Sequence, residues 1–285
     1  TDRADIGDSY NWGGLKKDKP IKSKISSFKI KENNKIRAVL NVIFELELPL
    51  NSTEKGRSKT QNKCKINTDF ILYNQAEMIE VEGKWINKCK NHILQISFNL
   101  KEKINETISE DLFGTVKRKF NPDYDIYNDI PAQRGKELKP NTAPMQRFVC
   151  VKDFALFTKG NTEYEVIKNT LNLTLLRSTG IISNPNNSTR GTPAGPPLNT
   201  PDLQCIGENK FNIAFAFENK EMNLFRLAEE FYSPYIALFT NKNDMNFVNT
   251  DKNSLIYAIT LKQENMCIRA YNFKYKTINN VLIKQ

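Results

Sequence analysis

Histidine is almost absent, with His92 standing alone in 285 residues. A hydrolytic zinc site takes about three protein ligands from His, Cys, Asp and Glu, so a site here would have to be built mainly from carboxylates. His92 opens an alternating stretch and reads as a side chain hydrogen-bonded near a strand end. Cysteine is sparse: Cys64, Cys89, Cys150, Cys205 and Cys267 are odd in number and widely spaced, and none falls in a C-x-x-C pair. That excludes a zinc ribbon or dithiol redox motif and reads as reduced thiols in a cytoplasmic protein. No apolar run approaches the roughly 18 residues of a membrane span. There is no Gly-x-Ser-x-Gly elbow, P-loop or dinucleotide fingerprint, and no repeat at a fixed period. Thr1-Asp2-Arg3-Ala4-Asp5 carries neither an initiator Met nor a basic-then-apolar leader, so the chain reads as a piece cut from a longer protein.

A charge of one sign is present in excess, at +10, yet it is not clustered as a phosphate-binding surface requires. Lysines alternate with apolar residues, as in Lys22-Ser23-Lys24-Ile25, which reads as the solvated face of a strand. Nucleic acid and membrane are therefore not expected partners. Sequons such as Asn105-Glu106-Thr107 follow from the abundance of Asn and carry little information on secretion.

The dominant pattern is period two. Leu94, Ile96, Phe98 and Leu100 alternate with Ile93, Gln95, Ser97 and Asn99; Phe211, Ile213, Phe215 and Phe217 alternate with Asn212, Ala214, Ala216 and Glu218; Phe44, Leu46 and Leu48 alternate with Glu45 and Glu47. These predict half-buried strands in large antiparallel sheets. One stretch has helical spacing, Leu224, Leu227, Ala228 and Phe231, closed by Pro234, and its apolar stripe should dock on a sheet. Many strands and one helix predict a sandwich rather than a parallel α/β sheet. The segment from Ser183 to Asp202, with Pro185, Pro193, Pro196, Pro197 and Pro201, interrupts the rhythm and predicts an ordered binding loop.

Paired carboxyl groups do the chemistry of most glycosidases, and Asp5 and Asp8 are close enough in sequence to suggest such a pair. In Asp5-Ile6-Gly7-Asp8-Ser9 the favoured alternative is an Asp/Gly turn. Trp12 and Trp85 offer a different carbohydrate chemistry, as stacking platforms of a free-standing carbohydrate-binding sandwich, although single aromatics usually belong to cores.

Several strings in order carry a resemblance. Leu173-Thr174-Leu175-Leu176-Arg177-Ser178-Thr179-Gly180, Arg190-Gly191-Thr192-Pro193-Ala194-Gly195-Pro196 and Thr200-Pro201-Asp202-Leu203-Gln204-Cys205-Ile206-Gly207 resemble the C-terminal region of glycoside hydrolase family 38 α-mannosidases. Asp5 to Asn11 resembles the family's Gly-Asp-x-Tyr motif, and Asn91-His92-Ile93-Leu94 its Asp-His-Arg-Leu strand, with Ile93 standing where arginine is usual. Phe113 to Arg118, Ala155 to Gly160 and Glu163 to Val166 follow in family order. The resemblance implies an all-β fold: a large antiparallel β-supersandwich, galactose mutarotase-like, over residues 1–234, then part of a smaller β-sandwich over 235–285, short or truncated. It implies a parent enzyme that hydrolyses α-mannosides with retention, its zinc and Asp nucleophile both on an N-terminal catalytic module. This chain would contain no catalytic residue, no metal ligand and no cofactor of its own. Expected partners are that module, a mannose-containing carbohydrate and a second copy in a homodimer, as related bacterial enzymes suggest. By the resemblance Tyr10, and after it Asp8 and Arg190, lie at the rim of the sugar pocket. A tyrosine supplies a ring face and a hydroxyl, and an arginine a rigid fork of donors. The plainer alternatives are a half-buried packing tyrosine and a solvated loop charge.

Overall fold

The computed structural model describes residues 1–16, 18–112, 114–124, 136–190, 192–217, 223–233, 254–262, 265–272 and 277–284, the last three as backbone strands. Among these residues two antiparallel sheets dominate. The larger runs β10 (Gly114–Lys119), β9 (Glu106–Asp111), β12 (Phe148–Val151), β13 (Phe154–Thr158), β16 (Gly207–Phe217), β7 (Ile79–Asn87), β6 (Gln61–Tyr73), β3 (Arg37–Pro49) and β2 (Lys24–Asn33). The smaller runs β1 (Asp2–Ala4), β8 (His92–Asn99), β15 (Thr170–Ser178), β14 (Glu163–Ile167) and β11 (Thr142–Pro144). A short hairpin, β4 (Ser52–Thr53) and β5 (Gly56–Arg57), stands apart.

The two sheets share one core, which fixes the fold as an all-β sandwich. Leu46, Leu48, Val81, Trp85 and Phe211 of the larger sheet pack with Leu94, Tyr164, Val166, Leu171 and Leu173 of the smaller. The alternation predicted for β3 is present from Leu46 to Leu48, whereas on β8 both faces are covered from His92 to Gln95. Two other predicted strands depart from a simple half-buried pattern. On β16 the second face is covered as well, with Ala214 and Ala216 buried, while Phe217 at the strand end is exposed. On β2, at the edge of the larger sheet, Ile25, Phe28 and Ile30 are all exposed.

Contacts divide the chain into two compact units, Thr1–Phe217 and Glu218–Gln285, where the sequence put the boundary after Pro234. The predicted helix is α1 (Leu224–Tyr232), with Leu227, Ala228 and Phe231 buried as its stripe. The Asn223 side chain caps it, accepting from the Arg226 amide at 3.1 Å. Pro234 lies outside the described residues. The other described residues of this unit form a three-stranded antiparallel sheet, β17 (Ser254–Lys262), β18 (Asn265–Asn272) and β19 (Thr277–Lys284); the strand expected from Cys267 to Tyr275 is β18 as far as Asn272, and its remainder is outside the described residues.

Candidate functional site

Two loops at one end of the smaller sheet are stitched together. The first leaves β1 through Asp5 to Gly13; the second leaves β15 through Gly180 to Thr200. Asp5 organises the first loop, accepting at Oδ1 from the amides of Gly7 at 3.0 Å and Gly13 at 3.1 Å. The loop closes so tightly that a Cβ on Gly7 would stand 2.1 Å from the Asn11 carbonyl oxygen. The Asp/Gly turn expected from sequence is therefore present, and Arg177 completes it, donating from Nε to Asp5 Oδ2 at 2.8 Å and from Nη2 to the Asp8 carbonyl at 2.8 Å. Burial works against the Arg177 charge, but the Asp5 carboxylate beside it raises the guanidinium above its ordinary value. Nearby, burial pushes the Glu163 carboxyl up, opposed by the Thr174 hydroxyl that donates to it at 2.8 Å.

Asp8 is the junction between the loops. Its Oδ1 accepts from the amides of Tyr10 at 3.0 Å and Asn11 at 2.9 Å, and its Oδ2 from the amide of Asn184 at 2.8 Å and from Arg190 Nη2. Burial alone would push its carboxyl up; the Arg190 guanidinium and the three backbone amides hold it below the usual carboxylate value instead. Arg190, only 3% exposed, also donates to Asn11 Oδ1 and, from Nε at 2.7 Å, to the Thr192 carbonyl. Ser9 Oγ donates to the Ile182 carbonyl at 2.7 Å, and Asn187 Nδ2 to that of Asn11 at 3.1 Å. The proline-rich segment is an ordered loop over its described residues, from which Gly191 is excluded.

Of the three residues the sequence singled out, Asp8 and Arg190 are thus buried and joined to each other, whereas Tyr10 is 56% exposed. The ring of Tyr10 lies with its centroid 5.7 Å from the Arg190 guanidinium carbon, within cation–π range. Its hydroxyl is close to Gly195, where a Cβ would come within 3.3 Å. Sequence reasoning assigned no role to Arg177, Asn11 or Asn184, although Arg177 lies inside the Thr-Leu-Leu-Arg string. It assigned none to Gln204 either, whose amide donates to Asn91 Oδ1 at 2.7 Å and whose oxygen accepts from the Asn91 amide at 2.9 Å. That pair ties the last motif to the start of β8.

The remaining candidates are structural. His92 is buried between Asp2, 2.6 Å from Nδ1, and the Asn87 side chain, 3.1 Å from Nε2. Trp85 is in the core against Phe211. Trp12 is half-buried, with its Nε1 donating to the Ala4 carbonyl at 3.1 Å and the Arg3 guanidinium over its ring at 4.8 Å. Trp85 is thus buried, and Trp12 carries the Arg3 guanidinium on its ring. Among the described residues no group of three or more His, Cys, Asp or Glu side chains could hold a metal ion, and no helix is long and apolar enough to cross a membrane.

The sequence of these motifs has a counterpart in known proteins, because residues 1–181 match the model of the glycosyl hydrolases family 38 C-terminal domain. The chain belongs to this family. A putative mannosylglycerate hydrolase of Halalkalibacterium halodurans is 24% identical over 65% of this chain and 21% of its own length. A family 38 protein from Enterococcus faecalis superposes with a TM-score of 0.72 at 20% identity, covering 99% of this chain and 35% of that one. An α-mannosidase from Enterococcus faecalis V583 gives 0.69 at 18%, covering 99% and 34%. The family 38 chain thus spans about a fifth of the curated relative and about a third of each solved structure, and shares the fold of the latter.

Proposed function

We propose that this chain is the carbohydrate-facing part of a retaining, zinc-dependent α-mannosidase, and that it completes the sugar pocket without supplying the nucleophile or the metal. The observation that carries the reading is the division of labour in the two loops: Tyr10 is exposed, while Asp8 and Arg190 are buried behind it and hold it in place. An exposed tyrosine on a rigid loop is a pocket rim that needs a facing module to become a pocket. Tyr10 then contacts the sugar through its ring and hydroxyl, and Asp8 and Arg190 act as positioning residues.

The His92 ring nitrogens face Asp2 and Asn87, and among the described residues no group of three or more His, Cys, Asp or Glu side chains could hold a metal ion, so no step through zinc is derived for this chain. Free thiols at Cys64, Cys89 and Cys205 support a reducing, cytoplasmic setting. The alternative of a free-standing carbohydrate-binding sandwich is weakened by the positions of Trp12 and Trp85.

The test is hydrolysis of an aryl α-mannoside with zinc by this chain, by the purified N-terminal module and by the two mixed. Activity in the mixture alone is expected, and a zinc-dependent rate from this chain by itself overturns the reading. In the active mixture Tyr10→Phe should raise KM about tenfold, the loss of one hydrogen bond to a buried sugar oxygen, with the chain's melting temperature unchanged.

A further inference from the structure

His92, the one histidine of the chain, is buried with a different oxygen at each ring nitrogen. Nδ1 lies 2.6 Å from Asp2 Oδ2, and Nε2 lies 3.1 Å from Asn87 Oδ1. The oxygen of an Asn side chain is told from its nitrogen by the partners around it. Asn87 Nδ2 donates to the carbonyls of Gln204 at 3.0 Å and Cys205 at 3.4 Å, while Oδ1 accepts from the Cys89 amide at 3.0 Å. Turning the side-chain amide over would set N–H against N–H at Cys89 and oxygen against two carbonyls. The Asn87 atom facing Nε2 is therefore an acceptor. Asp2 is an acceptor too, as a carboxylate paired through Oδ1 with the Arg57 guanidinium.

A neutral imidazole has one N–H and one bare nitrogen. With an acceptor at each end, either tautomer aims a lone pair at an oxygen, and burial keeps water from relieving the clash. Only the imidazolium donates at both ends. We propose that His92 is held as the imidazolium at neutral pH and acts as a proton-dependent clasp, joining β1 through Asp2 to the base of the second loop through Asn87. That base is the turn at Pro201–Gln204, whose Gln204 carbonyl also accepts from Ser178 Oγ at 2.9 Å. Loss of the proton at Nε2 would free the Asn87 side chain that holds the turn.

The charges around the ring support this assignment. β1 contributes Asp2, the hairpin of β4 and β5 contributes Arg57, and the segment after the first loop contributes Asp18. The Asp18 carboxylate accepts from the Ala4 amide at 2.7 Å and lies 3.7 Å from Arg57 Nη1. β15 places the uncharged Ser178 opposite His92. Burial pushes the Cys89 thiol up to about 11 and the Cys64 thiol up to about 12, so both stay neutral. One guanidinium thus faces two carboxylates, and the imidazolium brings the buried group into balance. Asp2 is fixed from both sides, paired with Leu94 on β8 and exchanging backbone hydrogen bonds of 2.9 and 2.8 Å with Ile21.

Because His92 stands alone, its two ring-nitrogen NMR signals in an isotope-labelled chain need no assignment. At about pH 7.5, where an unfolded histidine is mostly neutral, both ring nitrogens should carry a proton in the folded chain. One bare ring nitrogen overturns the proposal, including the case in which the shared proton sits on Asp2. The clasp also has a stability consequence of fixed sign. Above about pH 6.5 an unfolded histidine has released the proton that the folded chain keeps, so stability from this group falls as the pH rises, by up to about tenfold in the folding equilibrium per pH unit. His92→Gln cannot bind that proton. Between about pH 6.5 and 8.5 the wild-type urea midpoint should therefore fall relative to that of the variant, a comparison that cancels other groups titrating in the window. Parallel midpoints overturn the clasp, and if the variant does not fold, the ring signals of the wild-type chain decide alone. Neither measurement uses substrate, so failure here is separate from failure of the mannosidase reading.

Discussion

At Asp8 two effects oppose each other, and the measurable consequence depends on which wins. Removing a carboxylate from water raises its pKa, while a guanidinium and three amides aimed at it lower it, and the net direction is down. A lowered folded pKa gives stabilisation that is complete above the ordinary value of 3.8 and is lost as the pH falls below it through the folded value. The urea midpoint should therefore drop more steeply toward acid in the wild-type chain than in Asp8→Asn, and equal slopes would remove Asp8 from this account. Arg190→Ala strands the buried carboxylate and should cost roughly 3–5 kcal/mol at neutral pH, read by the same denaturation. Arg190→Lys should recover only part of that loss, because an ammonium cannot reach Asp8, Asn11 and Thr192 together. The sequence made both residues visible through the order of motifs. Their partnership was not visible, since 182 positions separate them and spacing along a chain gives no distance across a sandwich.

Strands were legible where side-chain alternation coincides with one covered face, as on β3. They were less legible where coverage comes from elsewhere in the fold. The run Lys22 to Ile25 read as a solvated face, yet β2 exposes Ile25, Phe28 and Ile30 along with its lysines; period two reveals two faces but not whether a second sheet lies over either. The lysines and register irregularities of β2 are features that discourage pairing at an exposed edge. A comparable gap is Gly83, which carries no signal in sequence. It stands opposite Phe211 across β7 and β16, and a Cβ there would fall 2.2 Å from the Phe211 ring. The ring occupies the space a side chain would need and also packs on Trp85 at 6.2 Å between centroids. Gly83→Ala must displace that ring and should cost about 1–3 kcal/mol in urea denaturation. Gly83→Ala with Phe211→Leu should recover part of it, whereas purely additive losses would mean that the two positions do not share the space.

Across the whole molecule the all-β class was legible because it depends on many strands at once, each adding weight to the same answer. The division into units was less so, because a helix between two sheets can be read with either neighbour, and the sequence placed α1 with the first. Every residue of the described core between the two large sheets comes from the first unit, from Leu46 to Ile213. A domain of about 217 residues buries roughly 70% of the surface its unfolded chain exposes, enough for a cooperative transition. A chain ending at Phe217 should therefore melt in one calorimetric transition, within a few degrees of the corresponding transition of the longer chain. It should also keep the slow exchange of Leu171 and Leu173 at the centre of the smaller sheet. Loss of that transition would mean that residues 218–285 contribute to the first unit's stability, and the boundary would then belong where the sequence had put it.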